Sequence, residues 1–579
     1  MMSKDFKKIP YGIADFKQVR KEGLYLVDKS MFLERMEQAG HFLFLVRPRR
    51  FGKSLFLNML EAYYDINEKD NFQTLFKGMY VADHPTEFHN SFQVLHLDFS
   101  RVGSDVDRLR ENFDLYMEVR CDSFAKAYAR FYPDTFADEL KQIRRGEQKL
   151  NFISDAAHAA GYPLYLIVDE YDNFTNNVLN VKGQKAYHDL THGTGFYRDV
   201  FKIFKPMFHR IIMLGVAPIT LDDLTSGYNI ALNMTIDSRF NQMLGFSEEE
   251  VRQMIRYYKE VGAIKPEVTE DSIIDDIKPW YDNYCFAKDS FGREPSMFNS
   301  DMVCYYMSTL IDTGRKPDEM VDPNTKTDYK KLRNLIEIGN MTEERRQTIY
   351  DIVHTGYTFA MINSYFPAEN ITDEDNFVSL LFYYGMLTIT ATRGNYLVLS
   401  IPNNNVRKQY YEFLLEEYQD NRHINLNDLG LMYYEMAYEG HWRETMEFIA
   451  HAYKENSSVR SSIEGERNLQ GFFTAYLSTN AYYLIAPELE LNHGYCDLFL
   501  MPDLIRYDVK HSYIIELKYL STKDSEAKAE AQWQEAVEQI KGYAVGAKVR
   551  QMVHGTELHC IVMQFRGWEL ERVEEVMQK

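Results

Sequence analysis

Residues 41–64 read HFLFLVRPRRFGKSLFLNMLEAYY, and this stretch decides the fold of the N-terminal part of the chain. Its opening letters, HFLFLV, are apolar and suit a short strand buried on both faces. Residues 55–64 place apolar side chains at helical spacing. The loop between them ends in Gly52, Lys53 and Ser54. A strand, a glycine-containing loop, Gly-Lys-Ser and a helix together predict a P-loop, and a surface turn with a chance Gly-Lys-Ser is the alternative.

The chemistry of this loop predicts ATP and Mg²⁺ as ligands. Backbone N–H groups at the start of a helix can hold phosphate oxygens. Lys53 would neutralise the β and γ phosphates, and Ser54 would bind Mg²⁺. Arg47 stands at the first glycine position of the general motif, and Pro48 lacks a backbone donor. The predicted nucleotide-binding residues are Arg47, Arg49, Arg50, Phe51, Gly52, Lys53, Ser54 and Leu55.

A second strand supports nucleotide hydrolysis. Residues 164–170 read LYLIVDE, an apolar strand that ends in two carboxylates, as a Walker B element does. Asp169 would hold Mg²⁺ through water, and Glu170 would polarise the attacking water. Apolar runs at residues 93–98 and 210–216 predict two further strands in this part of the chain.

Other polar residues near these motifs have two readings each. Arg49 and Arg50 could contact phosphates or a transition-state charge, or they could be loop arginines held in ion pairs. Thr220 and Asp222 follow the last predicted strand and could be polar sensors or ordinary loop residues. Arg239 is a candidate arginine finger or sensor.

The middle of the chain reads as helical and then as a winged-helix-like module. Ser247 and Glu250 form a capping pattern for a helix that begins there. Residues 377–386 predict a helix, and residues 387–400 predict a hairpin that turns near Gly394. Such a module can bind DNA, or it can pack on a nucleotide domain as a moving part. Because few basic residues mark this stretch, we favour the internal role.

A different chemistry is encoded near the C-terminus. Residues 494–500 and 513–518 predict two strands. Because alternate residues on a strand share a face, Glu516 and Lys518 point the same way. A neighbouring strand can bring Asp497 beside them, so that two carboxylates and a lysine meet at one spot.

This constellation suits metal-dependent cleavage of a phosphodiester. Asp497 and Glu516 would bind Mg²⁺ as hard oxygen ligands, with Mn²⁺ as an alternative metal. The metal would activate water and stabilise the charge that develops on the phosphate. Lys518 would orient the water or stabilise that charge. A structural salt bridge between the lysine and a carboxylate is the other reading, because charges beside an apolar strand must be paired.

The N-terminal motifs resemble those of the bacterial AAA-ATPase-like family. Three further stretches carry the resemblance: YGIADF at 11–16, YLVDKS at 25–30 and LTSGYNI at 224–230. In that family an arginine-rich P-loop like the one at residues 47–54 is the rule, so the resemblance implies ATP binding. Members commonly carry a PD-(D/E)XK nuclease domain at the C-terminus.

The C-terminal part resembles the PD-(D/E)XK nuclease core, whose signature is matched by Asp497 and by ELK at 516–518. The resemblance implies metal binding by Glu466 on the first helix, and a catalytic role for Gln539 in a Gln-x-x-x-Tyr element that ends at Tyr543. The predicted metal ligands are Ser54, Asp169, Glu466, Asp497 and Glu516. The predicted catalytic residues are Glu170, Asp497, Glu516, Lys518 and Gln539.

Composition limits the range of functions. The net charge of −21 counts against tight non-specific binding of nucleic acid, because phosphate contacts drive that affinity.

No apolar run approaches the roughly 18–20 residues that cross a bilayer. The first residues are charged and lack an apolar signal region, so we expect a cytoplasmic protein with no membrane partner. The five cysteines lie apart and form no CxxC pair that would predict a thiolate zinc site.

We therefore predict an α/β multidomain protein. It has a P-loop NTPase parallel sheet, a helical and winged-helix-like middle, and a restriction-endonuclease-like α/β C-terminal domain. The predicted divisions are a P-loop AAA-like ATPase domain at 1–245, a helical lid region at 246–365, a winged-helix-like module at 366–420, and a nuclease-like domain with a helical lead-in at 421–579.

The predicted function is ATP binding and hydrolysis coupled to a Mg²⁺-dependent nuclease that acts on DNA rather than RNA. The alternative is a nucleotide-dependent signalling switch or scaffold whose nuclease-like domain only recognises a partner, and the acidic charge favours it. A ring-forming ATP-dependent remodeller is a third class. It would need an arginine finger in trans, so a homo-oligomer is left open.

Overall fold

The chain forms two compact units. The first contains Met1–Thr342 and Phe359–Asn403, and the second contains Glu343–Thr358 and Asn404–Lys579. The sequence analysis assigned residues 343–358 to the lid region, whereas in the structure they lie in the second unit. The division of the chain into four parts stays a prediction. The computed structural model describes residues 6–103, 105, 107–191, 196–218, 231–325, 343–364, 374–419, 426–456, 465–491, 494–504 and 506–576.

In both units more of the described residues lie in helices than in strands. None of the described helices is long and apolar enough to cross a membrane. The α-helices are α1 Phe16–Lys21, α2 Met31–Ala39, α3 Lys53–Tyr64, α4 Phe72–Phe76, α5 Tyr80–Asp83, α6 Leu109–Ala127, α7 Phe136–Gln142, α8 Gly146–Ala160, α9 Asn173–Thr191, α10 Phe196–Met207, α11 Glu248–Glu260, α12 Glu270–Tyr281, α13 Ser300–Thr313, α14 Glu343–Thr355, α15 Glu374–Tyr383, α16 Asn404–Gln419, α17 Leu426–Tyr438, α18 Trp442–Asn456, α19 Glu466–Leu477, α20 Glu526–Ala544 and α21 Ala547–Met552.

The strands fall into separate sheets, two of which carry the candidate sites. They are β1 Phe42–Val46, β2 Gln93–Asp98, β3 Leu164–Asp169, β4 Arg210–Gly215, β5 Leu232–Asn233, β6 Phe246–Ser247, β7 Met297–Phe298, β8 Tyr357–Ala360, β9 Thr388–Arg393, β10 Tyr396–Ser400, β11 Tyr483–Leu491, β12 Gly494–Pro502, β13 His511–Leu520, β14 Glu557–Arg566 and β15 Glu569–Glu575.

The first unit is built on a parallel sheet with strand order β2-β3-β4-β1-β5. The predicted strands at 41–46, 93–98, 164–170 and 210–216 are confirmed as its four longer members. Because the strands are parallel, their carboxyl ends share one edge, which is where ligands bind in open α/β sheets. The loop after β1 and the acidic end of β3 both lie at that edge.

Helix α3 begins directly after the glycine of the loop. Gly52 has φ of 82°, a left-handed conformation in which an L side chain is strained, so glycine suits the turn from loop to helix. Phe56, Leu57 and Leu60 are buried along one side of α3. Their burial holds the helix against the unit, so that the N-terminus of α3 faces the carboxyl edge of the sheet.

The middle of the chain is helical, as predicted. Ser247 and Glu250 form the predicted capping box of α11, with each side chain accepting the backbone N–H of the other residue. Helices α11, α12 and α13 share a core that includes Val251, Ile277 and Met302. The predicted hairpin is confirmed as β9 and β10, and β8 pairs on the other side of β10. Along the chain, helix α15 lies between β8 and the β9–β10 hairpin, so the winged-helix-like order of elements holds for α15, β9 and β10.

The second unit contains a mixed sheet with strand order β11-β12-β13-β14-β15. Only the β13–β14 pair is parallel among these described strands, and the other pairs are antiparallel. Helix α20 packs on this sheet through Trp533 and Ile540, which contact a core containing Phe499 and Ile514. The predicted α/β fold class is confirmed in both units.

Candidate functional sites

A cavity of about 820 Å³ lies at the N-terminus of α3 in the first unit. One part of its wall is polar and includes Arg49, Lys53, Ser54 and Glu170. The wall also includes apolar side chains. A cavity of this size and mixed lining suits a nucleotide-sized ligand.

Lys53 is the buried cation of this cavity. Its Nζ donates to the backbone oxygens of Arg47 at 2.9 Å and Pro48 at 2.8 Å. Burial lowers the pKa of Lys53 to about 8, although Glu170 and Asp169 oppose that shift. The lysine therefore has neutral oxygen partners, which are weaker acceptors for an ammonium group than a phosphate.

Ser54 and Asp169 meet across the sheet edge. Ser54 Oγ donates to Asp169 Oδ2 at 2.7 Å, so the serine of the loop contacts the carboxylate at the end of β3. Burial raises the pKa of Asp169, while the hydrogen bond from Ser54 and the charge of Lys53 act in the opposite direction. A hydroxyl and a carboxylate are hard oxygen ligands, so this pair fits Mg²⁺.

Glu170 adopts an uncommon backbone conformation. Its φ is 49°, which is rare for a residue with a side chain and recurs at functional sites. The Asn173 side-chain amide donates to the Glu170 carboxylate, and both residues line the cavity together with Asn177. Sequence reasoning missed the two asparagines. Their positions three and seven residues after Glu170, at the start of α9, are the signal that could have found them.

Arg47 requires a correction. Its guanidinium is fully buried and donates to the backbone oxygens of Thr235 at 2.7 Å and Phe240 at 3.1 Å. It lies over the ring of Phe286 at 4.2 Å, and burial lowers its pKa to about 9. Arg47 does not line the cavity formed by the described residues. Its position is that of an internal anchor for the segment after β5, not that of a phosphate contact.

The two neighbouring arginines differ from each other. Arg49 lines the cavity. Arg50 also lines it, but Arg50 Nη1 lies 2.8 Å from Asp301 Oδ2 and Nη2 donates to the backbone oxygen of Asn324. Two roles were considered for Arg50 from the sequence, a phosphate contact and an ion pair within the protein. The observed contacts are those of the ion pair.

The candidate arginine finger Arg239 forms an ion pair on the surface. Its Nη2 lies 2.6 Å from Asp237 Oδ2. Thr220, Asp222 and the stretch at 224–230 lie outside the described residues.

The apolar wall of the cavity was not predicted as part of a binding site. The chain before α2 contributes Ile13, Phe16 and Val27, and Leu244 and Met254 also line the cavity. Residues 11–16 and 25–30 were noted only because they resemble family motifs. Their position in the cavity gives those motifs a physical role, since they supply apolar surface to the same cavity as Lys53 and Ser54.

The second site lies on β12 and β13 of the second unit. Asp497 is buried and accepts the backbone N–H of Leu517 at 2.6 Å and the Gln470 amide at 2.5 Å. Lys518 Nζ lies 2.7 Å from Glu516 Oε1 and 3.7 Å from Glu466 Oε1. The structure thus brings together Asp497, Glu516, Lys518 and Glu466, which the sequence listed from three separate segments.

The electrostatics of this cluster are those of closely spaced buried carboxylates. Burial and then the neighbouring Glu516 raise the pKa of Asp497 well above its usual range. Burial also raises the pKa of Glu516. Although burial disfavours its charge, Lys518 has a raised pKa because Asp497 and Glu516 surround it. One lysine does not balance these carboxylates, and a bound cation would.

Unpartnered oxygens support a metal at this cluster. Glu516 Oε2 and Gln470 Oε1 are buried and have no hydrogen-bond partner within the described parts of the chain. Buried polar atoms are almost always satisfied, so the Glu516 oxygen fits the ligand set of a hard cation. Sequence reasoning missed Gln470. Its spacing from Glu466, one helical turn apart on α19, is the signal that could have found it.

Gln539 lies on α20, one turn before Tyr543. Tyr543 donates to the backbone oxygen of Tyr495 at 2.9 Å. Burial raises the pKa of Tyr543 to about 12, and the nearby Glu516 adds to the shift. The C-terminal turns of α20 therefore approach the carboxylate cluster. Gln539 Oε1 is buried without a hydrogen-bond partner in the described residues.

Comparison with known families agrees with these two sites. Residues 10–225 match the AAA-ATPase-like family, described as a predicted AAA-ATPase, and residues 464–575 match the PD-(D/E)XK nuclease superfamily. This chain joins an AAA-ATPase-like domain to a PD-(D/E)XK nuclease superfamily domain. The architecture implied by the resemblance is confirmed. The AAA-ATPase-like match contains the P-loop and Asp169, and the PD-(D/E)XK match contains Asp497, Glu516 and Lys518.

Individual relatives add little about function. A curated protein of Azotobacter chroococcum mcd 1, described as an uncharacterized protein in the vnfD 5′ region, is 29% identical over 280 residues. The match covers 48% of each protein, so the chain spans about half the length of this relative. A solved structure of the Aeropyrum pernix ORC2 protein (ADPNP-ADP complexes) is 9% identical, with 66% of this chain and 90% of that chain covered. Its TM-score of 0.27 is too low to establish a shared fold.

Proposed function

We propose that this chain binds and hydrolyses ATP at the cavity of its first unit, and cleaves DNA with Mg²⁺ at the carboxylate cluster of its second unit. ATP binding or turnover would control the cleavage. The observation that carries the proposal is the presence of two complete sets of polar groups on one chain. One set is Lys53 and Ser54 beside Asp169. The other is Asp497 and Glu516 beside Lys518.

ATP fits the mixed lining of the first site. The apolar wall around Phe16 and Val27 suits the adenine base, and the N-terminus of α3 suits the phosphates. A phosphate would replace the two backbone oxygens that now accept from Lys53. Ser54 and Asp169 would hold Mg²⁺, which neutralises phosphate charge when it is bound.

Glu170 would orient the water that attacks the γ phosphate. Its carboxylate is held by Asn173, and it lines the same cavity as Lys53. A carboxylate fixed in this way presents an acceptor to the water without a loss of side-chain freedom during the reaction.

At the second site, Asp497, Glu516 and Glu466 are the residues that would hold Mg²⁺. The metal, when bound, supplies an activated water and stabilises phosphate charge. Gln470 and the Leu517 N–H fix the Asp497 carboxylate through the hydrogen bonds described above. Lys518 would donate to the attacking water or to a phosphate oxygen, because its ammonium group remains charged beside the carboxylates.

A second candidate function is a nucleotide-dependent switch whose PD-(D/E)XK domain recognises a partner without cutting. The net charge of −21 favours it, because an acidic chain gains little electrostatic attraction to a polyanion. In this case the first site would still bind ATP, and the cluster around Asp497 would have no cleavage activity.

The test is digestion of plasmid and single-stranded DNA with Mg²⁺ or Mn²⁺, with and without ATP, by the wild type and the Lys518→Ala variant. We expect cleavage by the wild type that depends on the metal and is lost in the variant. A matched control is Lys541→Ala, since Lys541 is an exposed lysine of the same unit that pairs with Glu538.

The result separates the two functions. Cleavage that is equal in the wild type and the Lys518→Ala variant would place the activity in a contaminant or at another site. Absence of cleavage in every condition, together with normal ATP binding, would support the switch.

A further inference from the structure

A group of histidine and carboxylate side chains lies at the other end of β13, in the second unit. His511 on β13 and Glu557 and His559 on β14 bring one ligand atom each to within 4.8 Å of one another. His511 Nδ1 lies 2.9 Å from His559 Nε2 and 3.6 Å from Glu557 Oε2. The parallel register pairs His511 with Glu557, so these side chains share one face of the sheet.

A second carboxylate fixes the orientation of His559. His559 Nδ1 lies 2.7 Å from Glu575 Oε1 on β15. The other oxygen of Glu575 accepts from the indole N–H of Trp442 at 3.1 Å. Because a carboxylate only accepts, Nδ1 of a neutral His559 carries the proton and its Nε2 presents a lone pair toward His511. A carboxylate behind a ligating histidine is the usual outer partner in zinc sites.

The packing around His559 holds this geometry. The ring of Tyr513 stacks on His559 with centroids 4.9 Å apart, and the Tyr513 hydroxyl donates to the backbone oxygen of Met436 at 2.6 Å. His559 is buried, whereas Glu557 is exposed at the rim. The cluster is therefore pre-oriented on its inner side and open to solvent on its outer side.

The spacing of the nitrogens is close to that of a metal site. Zinc–nitrogen bonds of about 2.0–2.1 Å in tetrahedral geometry place two nitrogens roughly 3.3 Å apart. The 2.9 Å between His511 Nδ1 and His559 Nε2 would need to open by only a few tenths of an ångström. Without a metal, the same distance allows a hydrogen bond from His511 Nδ1–H to His559 Nε2.

This cluster is separate from the carboxylate site. His511 and Glu516 are on opposite faces of β13, because their positions differ by an odd number of residues. At about 3.3 Å per strand residue, roughly 16 Å separates them along the strand. The ligand chemistry also differs, since imidazole nitrogen selects zinc-like metals and carboxylate oxygen selects Mg²⁺.

We propose that His511, Glu557 and His559 bind a divalent transition metal of the Zn²⁺ class, with Glu575 as the outer partner of His559. Three protein ligands leave a fourth position for water. The bound metal would link the start of β13 to β14 at the end of the sheet away from Lys518.

The experiment is a calorimetric titration of the metal-free full chain with Zn²⁺, in an excess of Mg²⁺ that occupies the oxygen-ligand sites. We expect one Zn²⁺ per chain and a rise in the thermal unfolding midpoint on binding. Glu575→Gln should weaken Zn²⁺ binding by about 10–100-fold, because it changes only the outer partner of His559. His559→Gln should weaken binding more than Glu575→Gln does.

Two control variants make the assignment specific. His451→Gln removes an exposed histidine of the same unit that pairs with Glu455, and it should leave Zn²⁺ affinity unchanged. Asp497→Asn alters the carboxylate site and should also leave the Zn²⁺ affinity unchanged. If His559→Gln fails to fold, Glu575→Gln still tests the site, because both histidines remain.

The proposal is overturned if the wild type binds no Zn²⁺ in excess Mg²⁺. It is equally overturned if the His511→Gln/His559→Gln double variant binds Zn²⁺ as tightly as the wild type. In either case the cluster is a hydrogen-bonded chain from His511 through His559 to Glu575.

Discussion

Two lysines, Lys53 in the P-loop and Lys518 on β13, are buried among opposite kinds of partners. Lys53 donates to backbone oxygens of its own loop, and burial lowers its pKa to about 8. Lys518 lies beside Glu516 and Asp497, and their charges raise its pKa in spite of burial. Both lysines lie at sites that we propose to act on phosphates.

The difference shows two ways of preparing a cation for an anionic substrate. Lys53 has neutral partners that a phosphate can replace, so in the proposed function its charge would be poorly compensated until nucleotide binds. The positive charge of Lys518 is already balanced in the absence of substrate, because the carboxylates of Glu516 and Asp497 lie beside it. Replacing each lysine by methionine should therefore have opposite effects on stability, while each replacement lowers the activity of its own site.

The largest expected effect is on ATP hydrolysis. Lys53→Met should lower the rate of hydrolysis by about 10²–10³-fold, because a preorganised cation at the transferred phosphate is lost. The measurement is phosphate release at saturating ATP. Lys182→Met is the control, since Lys182 is a partly exposed lysine of the same unit that pairs with Asp107. Equal rates in Lys53→Met and the wild type would remove Lys53 from the site.

The next effect is on the stability of the second unit. Lys518→Met leaves Asp497 and Glu516 buried without their cation, and breaking such a pair costs about 3 kcal/mol or more. We expect a lower free energy of unfolding in metal-free buffer, measured by denaturant titration. If Lys518→Met were more stable than the wild type, the two lysines would not differ in the way described.

A smaller effect is expected from the amide that orients Asp497. Gln470→Leu removes the donor to Asp497 Oδ1 but keeps the carboxylates and Lys518. We expect cleavage of plasmid DNA to fall about tenfold, because outer partners of metal ligands typically contribute 10–100-fold. Gln534→Leu, on the exposed side of α20, is the control. Unchanged cleavage in Gln470→Leu would show that Asp497 is held without the amide.

The smallest effect is a gain in stability. A pKa lowered from 10.5 to about 8 corresponds to roughly 3 kcal/mol against the charged form of Lys53, and lost hydrogen bonds to two backbone oxygens return part of that. Lys53→Met should therefore raise the free energy of unfolding by about 1 kcal/mol near neutral pH in nucleotide-free buffer.

The pH dependence of this gain tests its cause. The folded-state pKa lies below the unfolded value, so the unfolded chain binds more protons between about pH 8 and 10.5, and the stability of the wild type rises with pH there. The gain from Lys53→Met should be full below about pH 8 and should shrink toward pH 10.5. A gain that does not change with pH would have to come from packing instead.

The local elements of both sites could be predicted from sequence. The strand, loop and helix at residues 41–64 and the alternation of Glu516 and Lys518 follow from neighbouring residues alone. Arg47 was misassigned because its sequence position is inside the loop, whereas its side chain donates to Thr235 and Phe240, far along the chain. Gln470 was missed because its sequence surroundings are those of an apolar helix.

By itself, the sequence determined that a P-loop, an acidic strand end and a carboxylate–lysine strand exist, because each depends on short-range spacing. Only the tertiary structure decided which side chains from other parts of the chain contact the residues of these motifs. In the folded chain the side-chain amide of Asn173 donates to Glu170, and that of Gln470 donates to Asp497. The ring nitrogens of His511 and His559 also come within hydrogen-bond distance. These contacts depend on helix packing, strand order and register, which arise from the burial of many residues at once and are not encoded in any one stretch.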